Sequence, residues 1–207
     1  MTRTLVSLAV LATTLLVFAT AATAAAAPSV TISASRPSVV YGGSVTLSGK
    51  ISDSTAGQTV DVLAQPFDAS SFSKLASATT TAGGPWTEAV KPTVETSYEA
   101  SWMSATSSTV TVKVRPIITL ALVKLSTGTF STKVTAARSF AGKFVLVQRL
   151  SSTGVLTLKK VTLDTNSSAT FRVRLHNGRS RLRVVMSTSQ TAPGYITGMS
   201  NVLTVRR

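Results

Sequence analysis

Six basic side chains crowd into one short stretch: Arg172, Arg174, His176, Arg179, Arg181 and Arg183. In Phe171-Arg172-Val173-Arg174-Leu175-His176 and in Arg181-Leu182-Arg183-Val184, basic and apolar residues alternate. That is the period of a strand with one face buried. Between the two runs lies Asn177-Gly178, the strongest short hairpin signal, because both central positions of a type I′ turn take positive φ. A two-residue turn there would set Val173 opposite Leu182 and Phe171 opposite Val184 on an inner face. On the outer face Arg172 would stand opposite Arg183, Arg174 opposite Arg181, and His176 opposite Arg179. Like charges directly opposite one another cost roughly a few tenths of a kcal/mol per pair. The planar guanidinium fork suits phosphate and carboxylate. The expected partner is therefore an anionic polymer or cell-wall component: a wall glycopolymer, an acidic polysaccharide, nucleic acid, or an anionic membrane surface. The competing reading is a solvated strand face that keeps a basic protein soluble.

Other chemistry is sparse. His176 is the only histidine and there is no cysteine. That excludes thiol catalysis, cysteine-ligated zinc, disulfides and lipid attachment through an N-terminal cysteine. A Ser-His-Asp arrangement would have to recruit Asp164 or an acid from the other half, and no G-x-S-x-G is present. Asp61, Glu88 and Glu99 lack EF-hand or zincin spacing. No catalytic residue, metal site or small-molecule cofactor is assigned, and the chain reads as a non-enzyme. Glu88 is anomalous, since the Trp86–Val90 alternation points it inward; a bulge near Gly83-Gly84-Pro85 would turn it out. Trp86, Tyr98 and Trp102 read as core, the alternative being a sugar-stacking platform. Tyr41, Phe67, Phe72 and Tyr195 are expected in turns and exposed. The loop from Phe67 to Phe72 and the segment around Pro193-Gly194-Tyr195 are the expected adaptable binding loops. Asn166-Ser167-Ser168 fits a glycosylation sequon but reads as a turn.

The elements that must position these residues are strands. Past the first residues Ser, Thr and Val dominate, Gly and Pro punctuate, and apolar residues alternate with polar ones in short runs. This predicts an all-β fold of two tandem seven-stranded sandwiches. Expected strands lie near 30–34, 44–51, 59–65, 74–81, 86–91, 97–103 and 109–114, then near 117–122, 129–135, 143–149, 155–164, 169–175, 180–187 and 202–206. The chain also resembles itself. Ala56-Gly57 before Val60-x-Val62 recurs as Ala141-Gly142 before Val145-x-Val147, and the same offset sets Trp86 on Phe171. Tyr98 and Trp102 match Leu182 and Met186. The offset grows at the close, which places an insertion near Ser187 to Ser200. The expected organisation is a signal peptide over 1–26, a repeat over 28–115 and a repeat over 116–207. The short linker Val114-Arg115-Pro116 leaves little hinge freedom.

Tyr41-Gly42-Gly43-Ser44-Val45-Thr46-Leu47-Ser48-Gly49-Lys50, followed by Gly57-x-x-Val60, resembles the second-strand signature of bacterial immunoglobulin-like repeats. Ser97 to Trp102 resembles their penultimate strand, and Pro193-Gly194-Tyr195 before Ser200-Asn201 the approach to their last. The resemblance covers everything after the leader and implies an Ig-like or fibronectin-III-like sandwich. Such modules serve as spacers, adhesins and binding domains alike. Repeat two departs from the signature at Phe130-Ser131-Thr132-Lys133-Val134, which lacks the Ser-Gly ending.

Charge separates the copies. From 28 to 115, six basic residues offset six acidic ones. From 116 to 207 there are fourteen basic residues and a single acid, Asp164. Thr2-Arg3, the apolar run to Ala22, and A-x-A patterns at Ala22-Thr23-Ala24 and Ala24-Ala25-Ala26 predict a cleaved leader rather than an anchor. No transmembrane span is expected in the mature chain. No sorting motif follows Val205-Arg206-Arg207, so surface attachment would be non-covalent. The composite expectation is a secreted or cell-surface interaction protein of actinobacterial type, with other surface proteins as further partners. Its alternatives are a spacer or adhesion module without a specific ligand, and a neutral-carbohydrate-binding module.

Overall fold

Alternation of β-branched residues with small polar ones makes the strands and decides which face each buries. The computed structural model describes residues 27–207; the expected leader, 1–26, lies outside the described residues. Its first half forms β1 (Ser33–Ala34), β2 (Ser38–Val40), β3 (Val45–Lys50), β4 (Thr59–Pro66), β5 (Ser73–Thr79), β6 (Pro85–Val90), β7 (Thr96–Trp102), β8 (Ala105–Thr106) and β9 (Val110–Arg115). Its second forms β10 (Ile117–Lys124), β11 (Thr129–Thr135), β12 (Phe144–Ser151), β13 (Gly154–Thr162), β14 (Ser168–Arg172), β15 (Arg179–Met186), α1 (Thr188–Thr191), β16 (Gly198–Met199) and β17 (Leu203–Arg206). All fourteen expected strands are present within a few residues, and the short β2, β8 and β16 are additional.

Each half is a two-sheet sandwich. In the first, β1-β3-β6 lies over β2-β9-β7-β4-β5, with β8 paired to β7. In the second, β10-β11-β14 lies over β13-β12-β15-β16, with β17 also on β15. Trp86, Tyr98 and Trp102 are buried, which removes them as a sugar-stacking surface.

Hydrogen-bond patterns align the two halves more closely than one sequence offset does. The Gly57 N–H donates to the Thr80 carbonyl, and Gly142 N–H to Leu163. The Thr81 N–H donates to Pro85, and Asp164 N–H to Ser168. Trp86 therefore corresponds to Ala169, and Phe171 to Glu88, two residues away from the expected match. Cross-strand pairs explain the exchange. Trp86 stands opposite Gly49 and Glu88 opposite Leu47; Ala169 stands opposite Thr132 and Phe171 opposite Phe130. A Cβ on Gly49 would collide with the Thr31 carbonyl and come 2.7 Å from Trp86 Nε1. The Ser-Gly ending is thus the space an indole needs. The second half has alanine there and fills the next level with stacked Phe130 and Phe171, centroids 6.1 Å apart. The expected bulge is absent, since β3 and β6 pair in unbroken register. Glu88 remains on the inward side of edge strand β6, half-exposed.

The insertion turns out to be a joint instead of an adaptable binding loop. Only Pro116 separates β9 from β10. The Glu95 N–H donates to the Gly194 carbonyl at 2.9 Å, and Ile196 N–H to Val114 at 2.9 Å. Gly194 has φ +81, and a Cβ there would come 2.6 Å from Val94 Cγ2. Tyr195, expected exposed, is buried. Its hydroxyl donates to the Thr93 carbonyl at 2.7 Å and accepts from the Ala137 N–H at 3.2 Å, so one phenol ties both sandwiches. Its ring meets Phe140 edge-on at 5.8 Å, and the Arg138 guanidinium lies 5.4 Å from its centroid. Of the other expected loop aromatics Phe67 is exposed, while Tyr41 and Phe72 are half-buried.

Burial holds the Tyr195 hydroxyl above the ordinary phenol pKa, against the opposing Ala137 amide bond. A raised folded value favours the neutral phenol, so this contribution is intact below about pH 10 and is lost as pH rises through the folded value. Tyr195→Phe should lower unfolding stability by about 1–3 kcal/mol, since it deletes two bonds and orphans an amide. Urea denaturation at neutral pH checks the loss, and the variant should also show less alkaline destabilisation than the parent.

Candidate functional site

The expected basic hairpin is not formed. β14 pairs with β11 in one sheet, while β15 pairs with β12 and β17 in the other. Residues 173–178 cross between the sheets, carrying Val173 and Leu175 into the core. Gly178 has φ +99, but Asn177 is not in the left-handed region, so no type I′ turn exists. Each strand pairs instead within its own sheet over five residues, and tertiary pairing overrides the local turn signal. The Arg172–Arg183, Arg174–Arg181 and His176–Arg179 pairs are consequently absent. The alternation itself holds: Phe171, Val173, Leu175, Leu182 and Val184 are buried, Arg172, Arg174, His176, Arg179 and Arg181 exposed, and Arg183 half-buried.

The crossing creates a different basic site. A cleft of about 320 Å³ opens between edge strands β13 and β14, at the end of the second sandwich remote from the joint. Arg172, Arg174 and His176 line it, joined by Arg149 and Lys159, with Leu156, Leu158 and Val173 as apolar wall. Arg179, Arg181 and Arg183 are elsewhere, on β15. Arg183 Nε donates to Gln148 Oε1 at 2.9 Å. Arg181 stands between Leu150 and Thr204, and Arg179 opposite Arg206.

Arg149 is the residue the hairpin reading missed. It pairs across strands with Leu182, which is fully buried, so its side chain starts inward. The equivalent pair in the first sandwich is Ala64 opposite Tyr98. There a large ring fills the level; here the smaller Leu182 leaves room for a guanidinium. Arg149 Nη2 donates to the Arg174 carbonyl at 3.2 Å, bracing the crossing against β12. Arg149 Nε is buried without a partner. A signal existed in the sequence, because Val145-x-Val147-x-Arg149 continues the inward alternation of β12.

No carboxylate answers these charges. Among the described residues the ion pair found is Lys74–Asp61 at 2.8 Å, in the first sandwich. Asp164, the lone acid of the second, sits in the turn before β14, where its Oδ1 accepts from the Asn166 and Ser168 N–H groups. That turn lies beside the joint, at the opposite end from the cleft. Among the described residues no cluster of three His, Cys, Asp or Glu side chains is grouped to hold a metal. The chemistry on offer is multidentate anion binding by guanidinium groups at a partly desolvated rim.

The chain matches no protein-family model and no curated protein. Among solved structures it is similar to a crystal structure described as a tetra-tandem repeat in the extending region of a large adhesion protein. The identity is 15%, over 86% of this chain and 49% of that chain, with a TM-score of 0.37. The chain spans about half the length of that structure.

A half-buried cation without a counter-charge costs stability that an apolar residue of similar length does not. Arg149→Met should therefore raise unfolding stability by about 1 kcal/mol or more in anion-free, low-salt buffer. Sulfated oligosaccharide should raise the melting temperature of the parent by more than that of the variant.

Proposed function

We propose that this is a non-catalytic, exported surface module of two Ig-like sandwiches, 28–115 and 116–207, of bacterial and actinobacterial type. Its second sandwich binds anionic polymers through the cleft of Arg149, Lys159, Arg172, Arg174 and His176. The observation that carries the reading is the inward Arg149, with an orphaned Nε and no carboxylate opposite it. Folding alone does not favour that residue, whereas an arriving sulfate, phosphate or carboxylate would offset the positive charge gathered along the cleft. Arg179, Arg181 and Arg183 contribute a more diffuse positive field on the outer face of β15.

A spacer or adhesion role is the second reading, and the joint favours it. Main-chain bonds from the insertion to Glu95 and Val114, with the Tyr195 bridge, oppose bending between the sandwiches. The two readings are compatible: a stiff pair of domains presents its basic end at a set distance from whatever precedes it.

Full-length mature protein should bind a heparin column and elute at a salt concentration that Arg149→Gln and Arg172→Gln each lower clearly. Arg181→Gln on the outer face should lower it less. Co-elution of Arg149→Gln with the parent would remove the cleft from the account.

A further inference from the structure

The remote end of the second sandwich carries more than charge. Two hairpins end there. In β10–β11, Lys124 pairs with Thr129, which in turn pairs with Arg172, so this tip adjoins the cleft. In β12–β13, Ser151 pairs with Gly154, and Arg149 reaches the Arg174 carbonyl from the same end. Both tips expose large aliphatic side chains: Val123 is 60% accessible, Val155 52% and Leu156 60%, with Leu122 and Leu125 also exposed. Val123 is left over at a register shift between Leu122 and Lys124, so pairing does not account for it.

One exposed leucine means nothing. Aliphatic residues on two tips at one end of the sandwich, with Arg149, Lys159, Arg172 and Arg174 in the cleft at that end and the sandwich's one acidic side chain, Asp164, at the other, are a different matter. A soluble polyanion needs the cations and gains little from the aliphatics. An anionic bilayer uses both, because basic side chains meet the headgroups while apolar ones enter the acyl boundary. We infer that this end of the second sandwich docks on an anionic lipid surface, with the Val155-Leu156 and Leu122–Leu125 tips inserted and the arginines of the cleft on lipid phosphate. The inference rests on the anion-binding reading of the cleft and names its partner.

The test uses the full mature chain with vesicles of phosphatidylglycerol in phosphatidylcholine, and with phosphatidylcholine alone. The parent should sediment with the first and not the second. Val123→Ser with Val155→Ser, both at exposed positions outside the cleft lining, should weaken vesicle binding roughly tenfold or more, while heparin retention and melting temperature stay at parental values. Because the chain has no cysteine, Ser152→Cys labelled with an environment-sensitive fluorophore reports on one tip alone. Its emission should shift to the blue with anionic vesicles. Heparin retention without vesicle binding, an unshifted fluorophore, or a double-serine variant that binds vesicles like the parent would each overturn lipid docking and leave the polymer reading standing. Failure of the parent on both heparin and vesicles would overturn both.

Discussion

A cation on the inward face of a sandwich must be solvated, paired or left at a cost, and Arg149 is in that position. Its cross-strand neighbour, Leu182, is a core residue with no exposure. Its Nε has no acceptor, and the one acid of this sandwich lies at the other end. The neighbouring geometry follows from accommodating it. The chain between β14 and β15 crosses close enough for the Arg174 carbonyl to take one N–H, and the gap between edge strands β13 and β14 stays open as a cleft. In the first sandwich the same level is closed by Tyr98 against Ala64. Two domains with one hydrogen-bond plan thus differ in whether an end is sealed by an aromatic ring or left open around a guanidinium.

Strand positions were legible in the sequence because period-two burial is written residue by residue: Val60, Val62 and Ala64 in β4, and Val145 and Val147 in β12, need no partner to be recognised. Partner choice was not. Asn177-Gly178 signals a hairpin locally, yet a seven-stranded sandwich of this kind puts its fifth and sixth strands in opposite sheets. The hairpin and the sandwich were incompatible, and the sandwich prevailed because burying Val173 and Leu175 at the crossing outweighs one turn preference. Half of the expected basic set, Arg172, Arg174 and His176, meets at the cleft for reasons unconnected with that turn. Arg149 was visible as an inward position, but its importance depends on Leu182, a residue whose pairing only the sheet register reveals.

The insertion makes a similar point. Pro193-Gly194-Tyr195 has the composition of an exposed recognition loop, and Gly194 does adopt a left-handed φ. What composition cannot convey is that the first sandwich presents Thr93, Val94 and Glu95 to it. Bonding to that edge turns a loop into a joint, and it leaves the basic cleft at the opposite end of the second sandwich.

The proposed anion site is the inward-facing cleft and not the charged face of β15. Titrating the protein with a short sulfated oligosaccharide, while following the arginine Nε–H resonances by NMR, tests it most directly. Arg149, Arg172 and Arg174 should shift together with one saturation curve, with little change at Arg181 and Arg183 and none across 28–115. Shifts led by Arg181 and Arg183, with Arg149 unmoved, would contradict it.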